Sequence, residues 1–330
     1  MVGLAVAPHL GDNQLAHGAG GRMMFKRLLI FVALAVSSAN AHAQSADTPR
    51  TAEGRPDFQG AWESRWLTPL ERPDGTTEAT VSGEAAAAYV AARYKALQGE
   101  GTALHPDSDF DFAGLLPAGD GAYRTSLIVE PANGKRAQTQ LAKELVAKNR
   151  EIRKAAENPE GLSNDERCLS ANGRAPLGVS PGSMYRQIVQ TPGHMMIYTE
   201  DQMVTRVIGI GAAPRPAGLV SLAGDSVAAW DGDTLVVVTT QIRPQLAPPG
   251  MPAFDQQRRV TERFSLIAPD EISYDYVLED SAMLAEPMRV QYALRRTDHA
   301  MFESACHEGN YSIGGMMLGA RLSEDVGKAN

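Results

Sequence analysis

From Ser183 onward, apolar and polar residues alternate with a period of two, the pattern of strands that turn one face to a core. RQIVQT, a Pro-Gly turn, HMMIYTE, an Asp-Gln turn and MVTRVIGI predict three antiparallel strands over 186–210. DSVAAW and TLVVVTT, joined by Asp-Gly-Asp, predict a tight hairpin over 225–240. RVTERFSLI and ISYDYVLED, joined by APDE, predict another over 259–280, and MRVQYALRR with AMFESAC (300–306) a last one. About nine strands joined mostly by short turns predict a mainly β fold. An antiparallel up-and-down meander of this kind removes its free edges best by closing into a barrel. No repeat of fixed period is visible, which argues against a propeller.

Before residue 183 the pattern is weaker. Gln44–Pro56 is a polar tail, and FQGAWES (58–64) predicts a first strand. Residues 67–123 are rich in Gly, Pro, Asp and Ala, with one helix predicted over Gly83–Leu97 and an acidic loop, HPDSDFDFAGLLPAGDG, after it. TSLIV (125–129) predicts a short strand. A second helix is predicted from Ala137 to Glu157, with Leu141, Leu145 and Ile152 at helical spacing, stopped by Asn158-Pro159. Gly315–Glu324 predicts a short helix lying on or plugging one barrel end. Residues 44–182 thus carry the first strands and a helical and loop extension, and 183–330 the meander, together one domain.

The front of the chain has a different character. Lys26 and Arg27, the apolar run LLIFVALAV and the small-x-small site Ala41-His42-Ala43 predict a secretory signal starting near Met24. Residues 1–43 then read as an over-extended start plus that signal, with translation from Met23 or Met24. Localisation is expected to be periplasmic or extracellular. The apolar run is too short to span a bilayer, which needs about 20 residues, and no later run is longer.

Charge narrows the partners. The chain carries a net charge of −8, and residues 1–43 hold Arg22, Lys26 and Arg27 against Asp12, so the remainder is more acidic still. That balance argues against nucleic acid and anionic lipid. The two cysteines, Cys168 and Cys306, lie in an exported chain, where disulfides form and persist. In FESACHEGNYS (302–312) a thiol, an imidazole and a carboxylate stand side by side. Sequence neighbours on a strand point to opposite faces, so Cys306-His307 is poor geometry for a nucleophilic dyad, and a disulfide is the favoured reading.

Gly60-Ala61-Trp62 at the start of the first strand resembles the Gly-x-Trp of calycins and lipocalins, whose barrels hold small apolar molecules, so a calycin-like barrel is expected. More of the chain resembles a group of exported bacterial proteins to which no settled activity attaches. The shared marks are GRPDFQGAW (54–62), ERCL (166–169), GDSVAAWDGDTLVVVTT (224–240), ERF (262–264) and ACHEGNY (305–311). That resemblance implies a β-rich fold and a Cys168–Cys306 pairing. Where the group has Asp-Gly-Arg-Pro-His after the third meander strand, this chain has Ala212-Ala213-Pro214-Arg215-Pro216, so no role of that histidine carries over.

Alternation also selects polar groups that share a face with apolar ones. Glu262 alternates with Val260, Phe264 and Leu266, and Asp280 ends the face of Ile272, Tyr274, Tyr276 and Leu278. A carboxylate inside a barrel is costly unless paired, and desolvation tunes it toward acid–base work. The bland alternative is an ion pair with Arg206 or Arg186. His307, beside Glu308 and Asn310, is a third proton-transfer candidate. His194, Met196, Tyr198 and Glu200 share a face that could be interior. The expected catalytic set is therefore Glu262, Asp280 and His307, with Tyr198, Arg206, Tyr276 and His194 on the substrate.

Metal and nucleotide cofactors are not expected: His105, His194, His299 and His307 are scattered, and HExxH, CxxC, GxGxxG and phosphate-loop patterns are absent. WDGDT (230–234) reads as a tight turn rather than a calcium loop. The expectation is a cofactor-independent lyase, isomerase or hydratase acting on a small aromatic or isoprenoid-like molecule. Its alternatives are a lipocalin-like binding protein without turnover and a structural envelope component.

Overall fold

The computed structural model describes residues 48–99, 112–155, 158–162, 166–169, 173–179, 184–200, 205–242, 258–303 and 305–328. All of them belong to one unit, His42–Asn330. The signal-like stretch and the first part of the acidic loop, 105–111, lie outside the described residues.

Along the chain come β1 (Gly60–Glu63), β2 (Thr80–Ser82), α1 (Gly83–Gly99), β3 (Pro117–Gly119), β4 (Ala122–Arg124), β5 (Ile128–Glu130) and α2 (Gln140–Ala155). A 3-10 turn at Pro159–Gly161 follows α2. The meander is β6 (Tyr185–Gln190), β7 (His194–Thr199), β8 (Arg206–Ile210), β9 (Asp225–Asp231) and β10 (Thr234–Thr240). It continues with β11 (Arg259–Ala268), β12 (Glu271–Glu279) and β13 (Met288–Arg296), and α3 (Ser312–Lys328) ends it. The order β1-β6-β7-β8-β9-β10-β11-β12-β13 returns to β1, so nine strands close into a barrel consistent with a calycin-like one. β5 lies on β13 beyond the short β1, and β2, β4 and β3 form a separate small sheet.

Period-two burial drives closure. Val260, Glu262, Phe264 and Leu266 of β11, Ile272, Tyr274 and Tyr276 of β12, and Met288, Val290, Tyr292 and Leu294 of β13 all point inward. At the seam, Trp62 stands opposite Arg186 of β6 and Arg296 of β13. The Arg296 guanidinium lies 4.4 Å over the Trp62 ring, and the Trp62 indole donates to Phe58 O at 2.8 Å. Gly60 suits that place: its φ of +132° is one that L side chains rarely adopt, and a Cβ would run into the Arg296 guanidinium. The Gly-x-Trp of the sequence thus marks the place where the barrel closes.

Three expectations change. The β8–β9 pair is parallel, because the chain leaves Ile210 through the long loop 211–224 and returns in the same direction. Arg215 holds that loop, donating from its backbone N and Nε to the Asp225 carboxylate at 2.7 and 2.9 Å. AMFESAC is not a strand in its described residues, since β1 and β5 already occupy the edge of β13. α3 forms, longer than expected, but is largely exposed, with Met317 its one fully buried apolar side chain among those described. In α2 the buried positions are Ala142 and Leu145, while Leu141 is exposed.

One feature was invisible to periodicity. The segment 173–179 (GRAPLGV) runs into the barrel, where Ala175 and Leu177 join the main core. Just before it, Cys168 is bonded to Cys306, with Cα atoms 5.7 Å apart. Asn310 Nδ2 adds bonds to Glu166 O at 2.8 Å and Cys168 Sγ at 3.2 Å. The bridge closes a loop of 138 residues, for which chain entropy gives about 5 kcal/mol as an upper figure. The Cys168→Ser/Cys306→Ser chain should therefore unfold at clearly lower urea concentration. Thiol labelling of the unreduced, denatured wild-type protein should find no free cysteine.

Candidate functional site

The lumen is polar at its centre, with an ion pair and two phenols bonded to one another or to backbone. Arg186 Nε and Thr199 Oγ1 are buried without a hydrogen-bond partner among the described residues. Glu262 and Arg206 are both 0 % exposed. Arg206 Nη1 donates to Glu262 Oε1 at 2.9 Å, and Nη2 pairs with Oε2. Arg206 also donates from Nε to Ser226 Oγ at 3.1 Å and from Nη2 to Thr239 Oγ1 at 3.3 Å. Tyr274 donates its hydroxyl proton to Glu262 Oε1 at 2.7 Å, and its oxygen accepts the Leu177 backbone N–H at 2.9 Å. Tyr292 donates to Leu177 O at 2.9 Å. Arg186, also 0 % exposed, donates to Gly178 O and, at 2.8 Å, to Ser64 Oγ. Three side chains thus bond the backbone of the inserted segment at Leu177 and Gly178, and Leu177 packs into the main core.

Burial sets the protonation states. It pushes the Tyr274 phenol well above its ordinary range, with the Glu262 charge next in effect. Burial likewise raises Tyr276 and Tyr292. Arg186 is pulled below its ordinary value by desolvation, with no carboxylate paired to it among the described residues. Tyr274 and Tyr292 partly offset that effect.

The sequence candidates do not converge. Tyr276 stands directly opposite Glu262 in the β11–β12 register and next to Tyr274, with ring centroids 5.7 Å apart. Asp280 lies four residues beyond Tyr276, about 13 Å along the strand. It is 3 % exposed and bound by Arg258 Nε at 2.8 Å and Nη2 at 2.7 Å. It also accepts the Met283 N–H at 3.2 Å, so it organises the turn after β12. His307 is exposed in the turn beside the disulfide. The interior set expected from β7 is not formed: Met195, Ile197 and Thr199 face in, while His194 is exposed and Tyr198 lies on the outer wall. Tyr198 donates to Phe302 O at 3.4 Å, and Glu200 pairs with His299 at 3.3 Å. Both faces of HMMIYT carry apolar residues, so alternation could not choose between them. At WDGDT the carboxylates serve the hairpin, with Arg50 on Asp233 and Arg263 on Asp231.

Open space lies outside the wall. A cleft of about 610 Å³ separates the outer face of β12 and β13 from the extension that carries β2 to β5. Trp66, Leu116, Ile128 and Ile267 give it an apolar side, and Arg72, Arg124 and Arg295 bring guanidiniums. Arg295 lies 4.4 Å over the Trp66 ring, and the Trp66 indole donates to Ala293 O at 2.7 Å. Arg72 donates to Thr125 Oγ1 at 3.1 Å, Thr77 O at 3.1 Å and Ala132 O at 3.3 Å. Arg124 donates to Gln291 O at 3.1 Å and Leu127 O at 2.9 Å. Burial pushes its guanidinium down to about 10. Sequence reasoning missed these residues, because ERPDG lies in the Gly-, Pro- and Asp-rich stretch 67–123 and Arg124 falls between that stretch and the TSLIV strand. The one available signal was the pair of Trp-bearing and Arg-bearing segments, Trp62/Trp66 and Arg295/Arg296, which stack against each other.

Comparison of the chain with protein-family models, curated proteins and solved structures finds no match.

Two measurements test the lumenal network. Glu262→Gln leaves Arg206 charged and uncompensated, so urea unfolding should show a loss of about 3–5 kcal/mol. The joint Arg206→Met/Glu262→Leu chain should lose less than Glu262→Gln alone; an equal or larger loss would argue against an isolated charge as the cause. The second concerns alkali. The fold holds Tyr274, Tyr276 and Tyr292 protonated, whereas unfolded phenols ionise near 10.0. Their contribution to stability is present below that pH and is lost as pH rises above it. Burial also raises Tyr89, to about 12, so Tyr274, Tyr276 and Tyr292 should give phenolate absorbance only together with unfolding, and Tyr89 later than the exposed tyrosines.

Proposed function

We propose that this is an exported small-molecule-binding protein without turnover, whose ligand occupies the cleft between the β12–β13 wall and the extension. The observation that carries this reading is the cleft itself. Its volume of about 610 Å³ falls within the roughly 300–1,000 Å³ of small-molecule sites. It also combines apolar walls with a few convergent polar groups, the usual make-up of such sites. The lumen gives a ligand less: Leu177 packs into the core there, and Glu262 is paired with Arg206.

The acid–base alternative draws no support from placement. Glu262 and Asp280 are each neutralised by an arginine and lie apart, and His307 is exposed at a third place. Elimination or isomerisation needs an acid and a base on one substrate within hydrogen-bond reach. Export fits the Cys168–Cys306 bridge, since such bonds persist in oxidising compartments. No described helix is long and apolar enough to cross a membrane.

A thermal-melting screen of the full chain against aromatic, terpenoid and steroid molecules tests the reading. A ligand at a hundred times its Kd contributes about 2.7 kcal/mol, enough to raise Tm by several degrees. Ala118 lines the cleft on an exposed strand, so Ala118→Trp should fill the space, leave the fold intact and abolish the shift. A panel in which no compound raises Tm, or a shift that Ala118→Trp leaves untouched, sinks the proposal.

A further inference from the structure

The cleft's charge balance says what kind of molecule it takes. Three guanidiniums, Arg72, Arg124 and Arg295, face one carboxylate, Glu271, which lies 3.6 Å from Arg295. Among the described residues Arg72 and Arg124 have no carboxylate partner; the bonds of both go to hydroxyl and carbonyl oxygens. The carboxylate nearest in effect to Arg124 is Asp275, which is committed to Arg289 at 2.8 Å. Each guanidinium has five N–H donors. The bonds above use three on Arg72 and two on Arg124, so donors remain on both.

Arg72 is 7 % exposed, and a cation withdrawn from water without a counter-charge is unfavourable. An excess of positive charge inside a cleft of a chain with net charge −8 is a local feature that focuses anions there. Beside it, Trp66, Ile128 and Ile267 offer surface for a flat or branched apolar body.

Resting on the proposed binding role, we infer that the cleft takes an amphipathic organic anion. A carboxylate or sulfonate head would sit against Arg72 and Arg124, and an aromatic or branched body against the Trp66 side.

Two fluorescent probes differing by one sulfonate test this on the full chain: 8-anilino-1-naphthalenesulfonate and the uncharged N-phenyl-1-naphthylamine. Hydrogen bonds to charged groups predict that the sulfonate binds at least about tenfold more tightly. The advantage should shrink with added salt. Arg124→Gln should bring the two affinities together, and Ala118→Trp should abolish both. Should Arg124→Gln not fold, the affinity ratio in the unaltered chain, its salt dependence and Ala118→Trp still decide. Equal affinities, both lost in Ala118→Trp, overturn the anion inference and leave the binding role standing. Absence of binding by either probe overturns the inference, and a silent melting screen overturns the role. Sulfonate binding that survives Ala118→Trp places the probe elsewhere and overturns the inference as well.

Discussion

The hydroxyl of Tyr274 is the point on which the interior turns. A segment without regular secondary structure cannot lie inside a barrel unless its backbone polar groups find partners, because an unpaired buried amide costs about as much as a lost hydrogen bond. The Leu177 N–H finds its partner in the Tyr274 oxygen. That oxygen is free to accept because its own proton is drawn to Glu262. Arg206 holds Glu262 in place, and Ser226 and Thr239 hold Arg206. One chain of bonds therefore runs from the inserted segment across β12, β11 and β8 to β9 and β10. Its worth is positional: a buried ion pair adds little net stability beside an apolar replacement, but it fixes the direction in which a phenol donates.

The disulfide acts at the other end of the same arrangement. Cys168 lies a few residues before the inserted segment, and its bond to Cys306 ties that approach to the turn that precedes α3. Asn310 reinforces the tie through Glu166 O. The insertion is thus fixed covalently at its entry and by Tyr274, Tyr292 and Arg186 at its far end. Outside the wall, the extension leaves a cleft against β12 and β13.

What could be read from the sequence follows from how local each signal is. Period two gave nearly every meander strand and the inward direction of Glu262, because Val260, Phe264 and Leu266 are apolar and Thr261, Arg263 and Ser265 are not. It also gave Arg206 as a candidate partner, since an arginine on an otherwise apolar face needs an anion. It failed on β7, where Met195 and Ile197 compete with Met196 and Tyr198 for the core. The parallel β8–β9 pair was illegible, because the loop 211–224 carries no mark of its direction. PLGV at 176–179 looks like any turn, and only long-range bonds to β12, β13 and β6 bury it. Arg186 was read as a spare counter-ion; its partners, Ser64 and Gly178, lie in segments that no pattern connects to it.

The cleft arginines have a further consequence for how binding and folding connect. Arg124 donates to Gln291 O on β13 as well as to Leu127 O, and Arg72 donates to Thr77 O and Ala132 O. These bonds join the extension to itself and, through Arg124, to the barrel wall. An anion placed between them would draw on donors those carbonyls leave free and would screen the repulsion between two like charges. The apolar surface on the Trp66 side would add to binding of the proposed ligand in proportion to the area it removes from water. Head and body of that ligand would then be held by two different sides of one cleft.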